Sequence, residues 1–358
     1  AIIDNKILAD KSITLEPVQE MTLYLLPHSH VDIGYTHHQD EVEKMQWSFL
    51  EQAVDLAKKS QHLPEEARFK WNTEVMWAIE SYLEQASEPE RIALITALRK
   101  GWIELNAMYA NELTGLCTQE ELLRLFDYRS HPGLQGVRTK SAMISDIPGW
   151  SWGLVPAMAG NGIKYFSCGT NSSHRIGNIM EKLGDKPFYW LSPSREDSIL
   201  TWVHAKGYSY FHTGLGTTQL KNLLTESKIF AYLDEMEERN YPYDMAMLRY
   251  NIGADNGPPD SRLSMKVNNW NKIYESPKLV IATVSEAFSA FEKKYGDQLP
   301  SLYGDITGYW EDGAASTARE TALNRSNAAR LSQTETLFAI FNPSNFSENS
   351  VGKLWDQI

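Results

Sequence analysis

The chain has 358 residues, 42% hydrophobic and 22% charged, with a formal net charge of −12. This composition suits a globular protein with a large core. The acidic balance argues against a nucleic-acid or anionic-membrane partner, which needs a basic face. No run approaches the ~18 apolar residues of a membrane span, and Cys117 and Cys168 alone make no disulfide framework.

In chain order, the apolar periodicities predict strands at 22–27, 68–71, 102–105, 141–144, 163–168, 198–204, 245–250 and 278–283. Helical patterns lie between several of them, at 40–60, 74–85, 89–100, 119–131, 220–239, 261–276 and 285–295. Regular strand-then-helix alternation argues for a parallel sheet, wound or closed into a barrel. In either form, sites are built at the C-terminal ends of the strands. From about Gly304 the character changes, and 311–341, rich in Ala, Arg, Thr, Leu and Glu, predicts one long helix. The expected division is a barrel domain at 1–303 and the first part of a helical domain at 304–358. One helix with an apolar stripe does not make a domain, so this chain reads as the front of a longer protein.

The first predicted strand ends in Pro27-His28-Ser29-His30-Val31-Asp32-Ile33-Gly34-Tyr35. On extended backbone, side chains at i and i+2 share a side, so His28, His30 and Asp32 can converge. Imidazole nitrogen and carboxylate oxygen are ligands that zinc accepts. The plainer reading is a strand end with alternating polar residues. Unpaired His and Asp closing an apolar strand are costly, however, and that favours metal or catalytic use. The fourth strand runs into Ser145-Asp146-Ile147-Pro148-Gly149-Trp150, a sharp turn that leaves a carboxylate at the strand end. Alone, it reads as a turn aspartate.

Together these motifs are more specific. The first resembles the His-Ser-His-Asn-Asp-Pro-Gly-Trp signature that opens the α-mannosidase domain of glycoside hydrolase family 38. Asp146-Ile147-Pro148-Gly149 resembles that family's Asp-Pro-Phe-Gly motif. Gly101-Trp102-Ile103-Glu104-Leu105 resembles its Gly-x-Leu-Glu-Ile strand, and 156–164 its stretch ending in Gly-Phe-Lys. The resemblance covers about 22–340 and is strongest at 23–35 and 141–166.

The resemblance implies an α/β fold, a distorted seven-stranded (β/α) barrel followed by a helical bundle and further domains of the same protein. It implies a zinc-dependent retaining glycoside hydrolase acting on α-mannoside-like glycans. One zinc ion would be held by His30, Asp32 and Asp146, with His28 supporting them. The family's fourth ligand, a downstream His, has no match here. Asp146 would also be the nucleophile. The family's Gly-Asp-Asp-Phe segment corresponds to Gly253-Ala254-Asp255-Asn256, which makes Asp255 the expected acid/base; by itself Asp255-Asn256-Gly257 also reads as a turn. Tyr35, Tyr208, Tyr210 and Trp150 would contact sugar. Where the family has an arginine, Cys168-Gly169-Thr170-Asn171 stands, so Asn171, His174 or Arg175 would do different work there. Glu311 and Asp312 either reach the site or cap the last helix, where its dipole favours acids.

Two other classes compete. An amidohydrolase-type metal hydrolase also opens with His-x-His and would need further histidines, for which His204 and His212 are available. A non-catalytic carbohydrate-binding relative would keep the aromatic residues alone. The sequence assigns no compartment.

Overall fold

The computed structural model describes residues 2–3, 6–7, 20–128, 132–171, 179–211, 224–308, 310–346 and 348–355. The described residues form a mixed α/β fold. Ile2–Ile3 (β1) pairs antiparallel with Lys6–Ile7 (β2). Thr22–Pro27 (β3) is followed by Gln39–Lys59 (α1), Trp71–Asn72 (β4), Trp77–Gln85 (α2), Glu88–Arg99 (α3), Ile103–Glu104 (β5) and Gln119–Arg124 (α4). Next come Ser141–Asp146 (β6), Leu154–Gly160 (α5), Tyr165–Thr170 (β7), Ile179–Leu183 (α6), Phe188–Leu191 (β8) and Ser198–Val203 (β9). Glu226–Glu238 (α7), Met245–Tyr250 (β10), Leu263–Ile273 (α8), Lys278–Ile281 (β11), Val284–Tyr295 (α9), Ser301–Tyr303 (β12), Ala318–Phe341 (α10) and Glu348–Trp355 (α11) complete the order.

β3 lies between β10 and β11, parallel to both, with Leu23 opposite Ala246 and Leu279. A strand flanked on both edges and covered on both faces must be apolar, and Leu23, Leu25 and Leu26 are fully buried. A second sheet runs β12-β8-β9-β7-β6, parallel except where β8 meets β9. Among the described residues β4 and β5 form a two-stranded ladder with each other.

The expected closed seven-stranded barrel is not formed by backbone ladders among the described residues; the sheets are small and mixed. The reason lies in β4 and β5, which are two residues long. Single contacts continue where their ladders stop. His28 bridges Asn72, and the Ala107 N–H donates to the Ser141 carbonyl. Between β9 and β10, the His204 Nδ1–H donates to the Met247 carbonyl at 3.2 Å.

Helix boundaries follow from capping and from competition for backbone groups. α3 and α9 open with capping boxes, Ser87 with Glu90 and Thr283 with Glu286. α1 buries Val42, Phe49, Leu50, Ala53, Val54 and Ala57, a helical stripe laid on the core. The helix expected at 119–131 stops at Arg124, and the Leu125 carbonyl accepts from Tyr109 N instead. The helix expected from residue 74 begins at Trp77, because the Met76 and Trp77 N–H groups donate to Met108 and Tyr109 carbonyls. β8, β12 and α5 were not anticipated. Pro156 in α5 is tolerated because it lies in the first turn.

α10 lies mostly in solvent. Leu323, Leu337, Phe338, Ile340 and Phe341 are exposed, while Ala328 is buried. Arg124 ties the helix down through one guanidinium nitrogen shared between the two Glu335 carboxylate oxygens, at 2.9 and 3.0 Å. Among the described residues, no helix is long and apolar enough to cross a membrane.

Candidate active site

The C-terminal end of β3 carries the first motif into the interior. His28 and His30 are buried, and Asp32 is partly open. The loop after β10 reaches the same place because Asn256 clamps it there. Asn256 N donates to the His30 carbonyl at 2.7 Å, and its side-chain amide donates to the Asp32 carbonyl at 3.0 Å and to Thr36 Oγ1 at 2.8 Å. Gln46 of α1 donates to Asn256 Oδ1 at 2.9 Å. Asp255, next in the chain, is thereby brought to His30 and Asp32. One ligand atom from each of His30, Asp32 and Asp255 lies within 4.8 Å of the others.

These three residues fit a divalent ion. His30 Nε2 is buried and makes no hydrogen bond, although Asp32 Oδ1 lies 3.4 Å away. A buried ring nitrogen that makes no hydrogen bond and stands beside two carboxylates becomes a donor set for zinc once the incoming cation displaces the imidazole's proton. Asp146 does not belong to that group of converging atoms, but it is close enough to be influenced by His30, Asp32 and Asp255. Burial raises its carboxyl above the usual value, against the pull of His30 and of Asn171. Asn171 Nδ2 donates to Asp146 Oδ1 at 2.6 Å, and Asn171 N donates to the Asp146 carbonyl at 2.9 Å. Asp146 itself has φ +68°, a left-handed conformation uncommon outside glycine. The turn after it depends on Gly149, at φ +124°, where a Cβ would fall 2.2 Å from Gly308 N.

Behind the histidines lies a residue that the motifs did not single out. Glu74, just past β4, is fully buried and accepts from His28 Nδ1 at 2.7 Å and His30 Nδ1 at 2.9 Å. Val31 N, Asn111 Nδ2 and Ser145 Oγ also donate to it, at 2.9, 2.7 and 2.6 Å. Burial alone would push the carboxyl up, but the two histidines hold it well below the usual range. Burial likewise opposes the His30 imidazolium, yet Glu74 and Asp32 raise His30 well above its ordinary value. Arg249, also fully buried, stands 3.9 Å from Glu74. It donates to Ser145 Oγ at 2.6 Å and to the Ser167 and Ile144 carbonyls at 2.6 and 3.0 Å. The signal for Glu74 was present: it follows a predicted strand, as His30 and Asp146 do. The helical pattern assigned to 74–85 masked it.

The aromatic expectations divide. The Tyr208 ring lies 4.6 Å from the His30 ring, and its hydroxyl is hydrogen-bonded to Asp255. Burial and the Asp255 and Asp146 charges push its phenol well up. Gly169 lets this segment approach, since a Cβ there would meet Tyr208 Cα at 2.5 Å. Tyr35 is 74% exposed. Tyr210 turns away, donating its hydroxyl to the Lys228 carbonyl at 2.9 Å and packing on Phe211 and Tyr232. Trp150 is fully buried, edge-on to Phe166. As placed, it is core filler and presents no face to a sugar: its backbone N–H pairs with the Ile306 carbonyl, and the indole is enclosed in the core with its own N–H unpaired among the described residues. Ile147, beside Asp146, lines a cleft of about 640 Å³ with Leu113, Trp310, Asp312 and Ser316.

His204 takes no part in the site. It is buried between Ser167 Oγ, at 2.9 Å, and the Met247 carbonyl. Burial, with Arg249 nearby, keeps it well below its usual pKa. His212, His174 and Arg175 lie outside the described residues.

Solved structures share this fold. An alpha-mannosidase from Enterococcus faecalis V583 superposes with a TM-score of 0.60 at 15% identity, over 81% of this chain and 31% of the other. A glycosyl hydrolase family 38 protein from Enterococcus faecalis superposes at 0.52 and 13% identity, over 81% of this chain and 29% of the other. A 4-alpha-glucanotransferase from Thermococcus litoralis does so at 0.51 and 14% identity, over 90% and 48%. The chain therefore spans less than a third of the length of the two Enterococcus proteins. No curated protein matches it in sequence. The family model for the glycosyl hydrolases family 38 N-terminal domain matches residues 20–306, most of the chain. The chain belongs to glycosyl hydrolases family 38.

Proposed function

We propose that this chain carries the catalytic face of a zinc-dependent retaining glycosidase that cleaves α-mannoside-like glycans. Membership of the family supports glycoside hydrolysis, and the mannosidase among its structural neighbours supports the sugar class. The observation that carries the reading is the convergence of His30, Asp32 and Asp255 beside Asp146.

In this reading His30, Asp32 and Asp255 hold the metal. A bound zinc would supply positive charge to orient sugar hydroxyls and to keep nearby carboxylates ionised. The sequence expected Asp146 among the ligands and Asp255 as proton donor. A carboxylate on a divalent ion is ionised and cannot donate a proton, so in this reading Asp255 serves the metal and the leaving oxygen takes its proton from another acid. Asp146 keeps the role of nucleophile. Burial raises its carboxyl, and a cation nearby would lower it again and favour the ionised form that attacks. Asn171 holds one of its oxygens and leaves the other for the anomeric carbon. Tyr208 closes one wall and, with its phenol protonated, donates its hydroxyl to Asp255. Tyr35, on the open side, offers a face for stacking.

The amidohydrolase reading loses a ligand, since both nitrogens of His204 are engaged away from this site. The non-catalytic reading predicts sugar binding without turnover. Hydrolysis of an aryl α-mannoside by the complete protein, before and after chelation, decides between them. Turnover that is lost with metal, restored by zinc and absent in Asp146→Ala is expected, with the anomeric configuration retained in the first product seen by NMR. Binding without turnover, or an inverted product, would overturn the reading.

A further inference from the structure

Glu74 touches no part of the open cleft, yet it contacts both histidines of the first motif. Its φ of +63° is left-handed, a conformation that persists in a non-glycine residue only where the surroundings enforce it. Here they do: the Glu74 N–H is fixed to Asn106 Oδ1 at 3.1 Å. Its two oxygens have separate partners. Oε1 takes His30 Nδ1, Val31 N and Asn111 Nδ2, whereas Oε2 takes His28 Nδ1 and Ser145 Oγ.

An ionised carboxylate only accepts hydrogen bonds, so His30 Nδ1 must carry a hydrogen. A neutral imidazole protonated there has its lone pair on Nε2. His30 Nε2 is the buried atom that makes no hydrogen bond and belongs to the group with Asp32 and Asp255. The opposite tautomer would set a lone pair against the carboxylate and drive an N–H into the cation site. His28 differs, because both of its nitrogens are used. Nδ1 meets Glu74, and Nε2 lies 3.0 Å from the Tyr208 carbonyl.

We propose that Glu74 is the positioning residue that selects the Nδ1–H tautomer of His30 and so makes Nε2 a metal ligand, a proposal that rests on the metal reading above. Through its other oxygen, Glu74 holds His28 against the backbone of Tyr208, whose ring flanks His30. One carboxylate thus sets a ligand and one wall of the site without touching substrate. It also makes His28 a support and not a ligand.

Three variants test this: Glu74→Met, Glu74→Gln and Ser145→Ala. Gln keeps an oxygen for His30, and its amide can donate to Ser145, whereas Met removes the acceptor at similar volume. Ser145→Ala removes a bond to Glu74 and leaves both histidines in contact with it. Zinc affinity is read by calorimetry, and the histidine tautomers by long-range ¹⁵N–¹H spectra of the zinc-loaded protein. Wild type should show His30 protonated at Nδ1 and metal-bound at Nε2. Glu74→Met should weaken zinc about 10–100-fold, the range for loss of a ligand's outer partner. Glu74→Gln and Ser145→Ala should stay within about tenfold of wild type, below the span set by such a loss. Zinc bound through Nδ1 of His30 in wild type would overturn the proposal without any variant, even if Glu74→Met failed to fold. Equal affinities in Glu74→Met and wild type would also overturn it while leaving the metal reading intact. Absence of zinc binding by wild type would overturn both.

Discussion

Two buried glutamates sit on the paired strands β4 and β5 or just beyond them, and their surroundings could hardly differ more. Glu74 accepts from two imidazoles with a guanidinium 3.9 Å away, and it is held ionised. Glu104 accepts from Ser285 N at 2.8 Å, Ser141 Oγ at 2.7 Å and the Ser285 hydroxyl, with no cation among these partners. Burial therefore raises its carboxyl, against the pull of those hydroxyls. Both are buried; the donors decide. A carboxylate among hydroxyls knits strand to helix, here β5 to α9. A carboxylate among imidazoles fixes where their remaining nitrogens point, and it lies directly behind the proposed metal ligands.

The sharpest way to break this comparison is to truncate each glutamate. Glu74→Ala strands two histidines, an amide and Arg249 in the interior, and should cost about 3–5 kcal/mol, as for loss of one partner in a buried charge network. Glu104→Ala leaves hydroxyls that can turn to one another, and should cost about 1–3 kcal/mol. Urea denaturation of both variants checks the order, and equal losses would mean that the donors do not matter. Arg249→Met comes next. Four hydrogen bonds tie the guanidinium to Ser145, Ile144 and Ser167, so a loss of about 3 kcal/mol is expected, near the low end for a broken buried pair.

A smaller effect sharpens the functional side. Asn171→Ala removes a bond to the Asp146 carboxylate, worth about 1.5–3 kcal/mol for a charged acceptor. Turnover of an aryl mannoside should fall about 10–100-fold with zinc affinity unchanged. A parallel loss of zinc would place Asn171 among the metal's supports.

Glu104→Gln should show the smallest effect, visible mainly through pH. The unfolded carboxyl ionises near 4.5, the folded one higher. Between those two values the unfolded chain releases its proton first, so rising pH lowers stability until the folded pKa is passed. Thermal unfolding of wild type should show that decline. In Glu104→Gln this contribution disappears, and a curve parallel to wild type would contradict the account.

Much of the frame was readable from the residues. β3 and β10 fall on their expected bounds because both are mostly apolar, largely buried runs with sharp ends. Alternation after β3 also marked His28, His30 and Asp32, two of which enter the candidate metal group. What was missed depends on long-range partners. β4 and β5 shrink to two residues because their neighbours' side chains take over the bonding, and the barrel does not close as a ladder. Glu74 lies inside a helical pattern, and only the fold brings His28 and His30 to it. Asp255 reads as a turn until Asn256 is seen gripping the His30 and Asp32 carbonyls. Trp150 illustrates the opposite error: an aromatic beside a site is as often core as sugar platform, and this one is core.

The central claim is that one divalent ion sits on His30, Asp32 and Asp255, behind which Glu74 aligns the imidazole. A crystal of zinc-loaded protein, measured across the zinc absorption edge, tests it most directly. The account predicts a single anomalous peak about 2.0–2.2 Å from His30 Nε2 and from carboxylate oxygens of Asp32 and Asp255, the usual range for zinc with nitrogen and oxygen ligands. A peak on His28, or no peak while His30 Nε2 is hydrogen-bonded to Asp32, would contradict it.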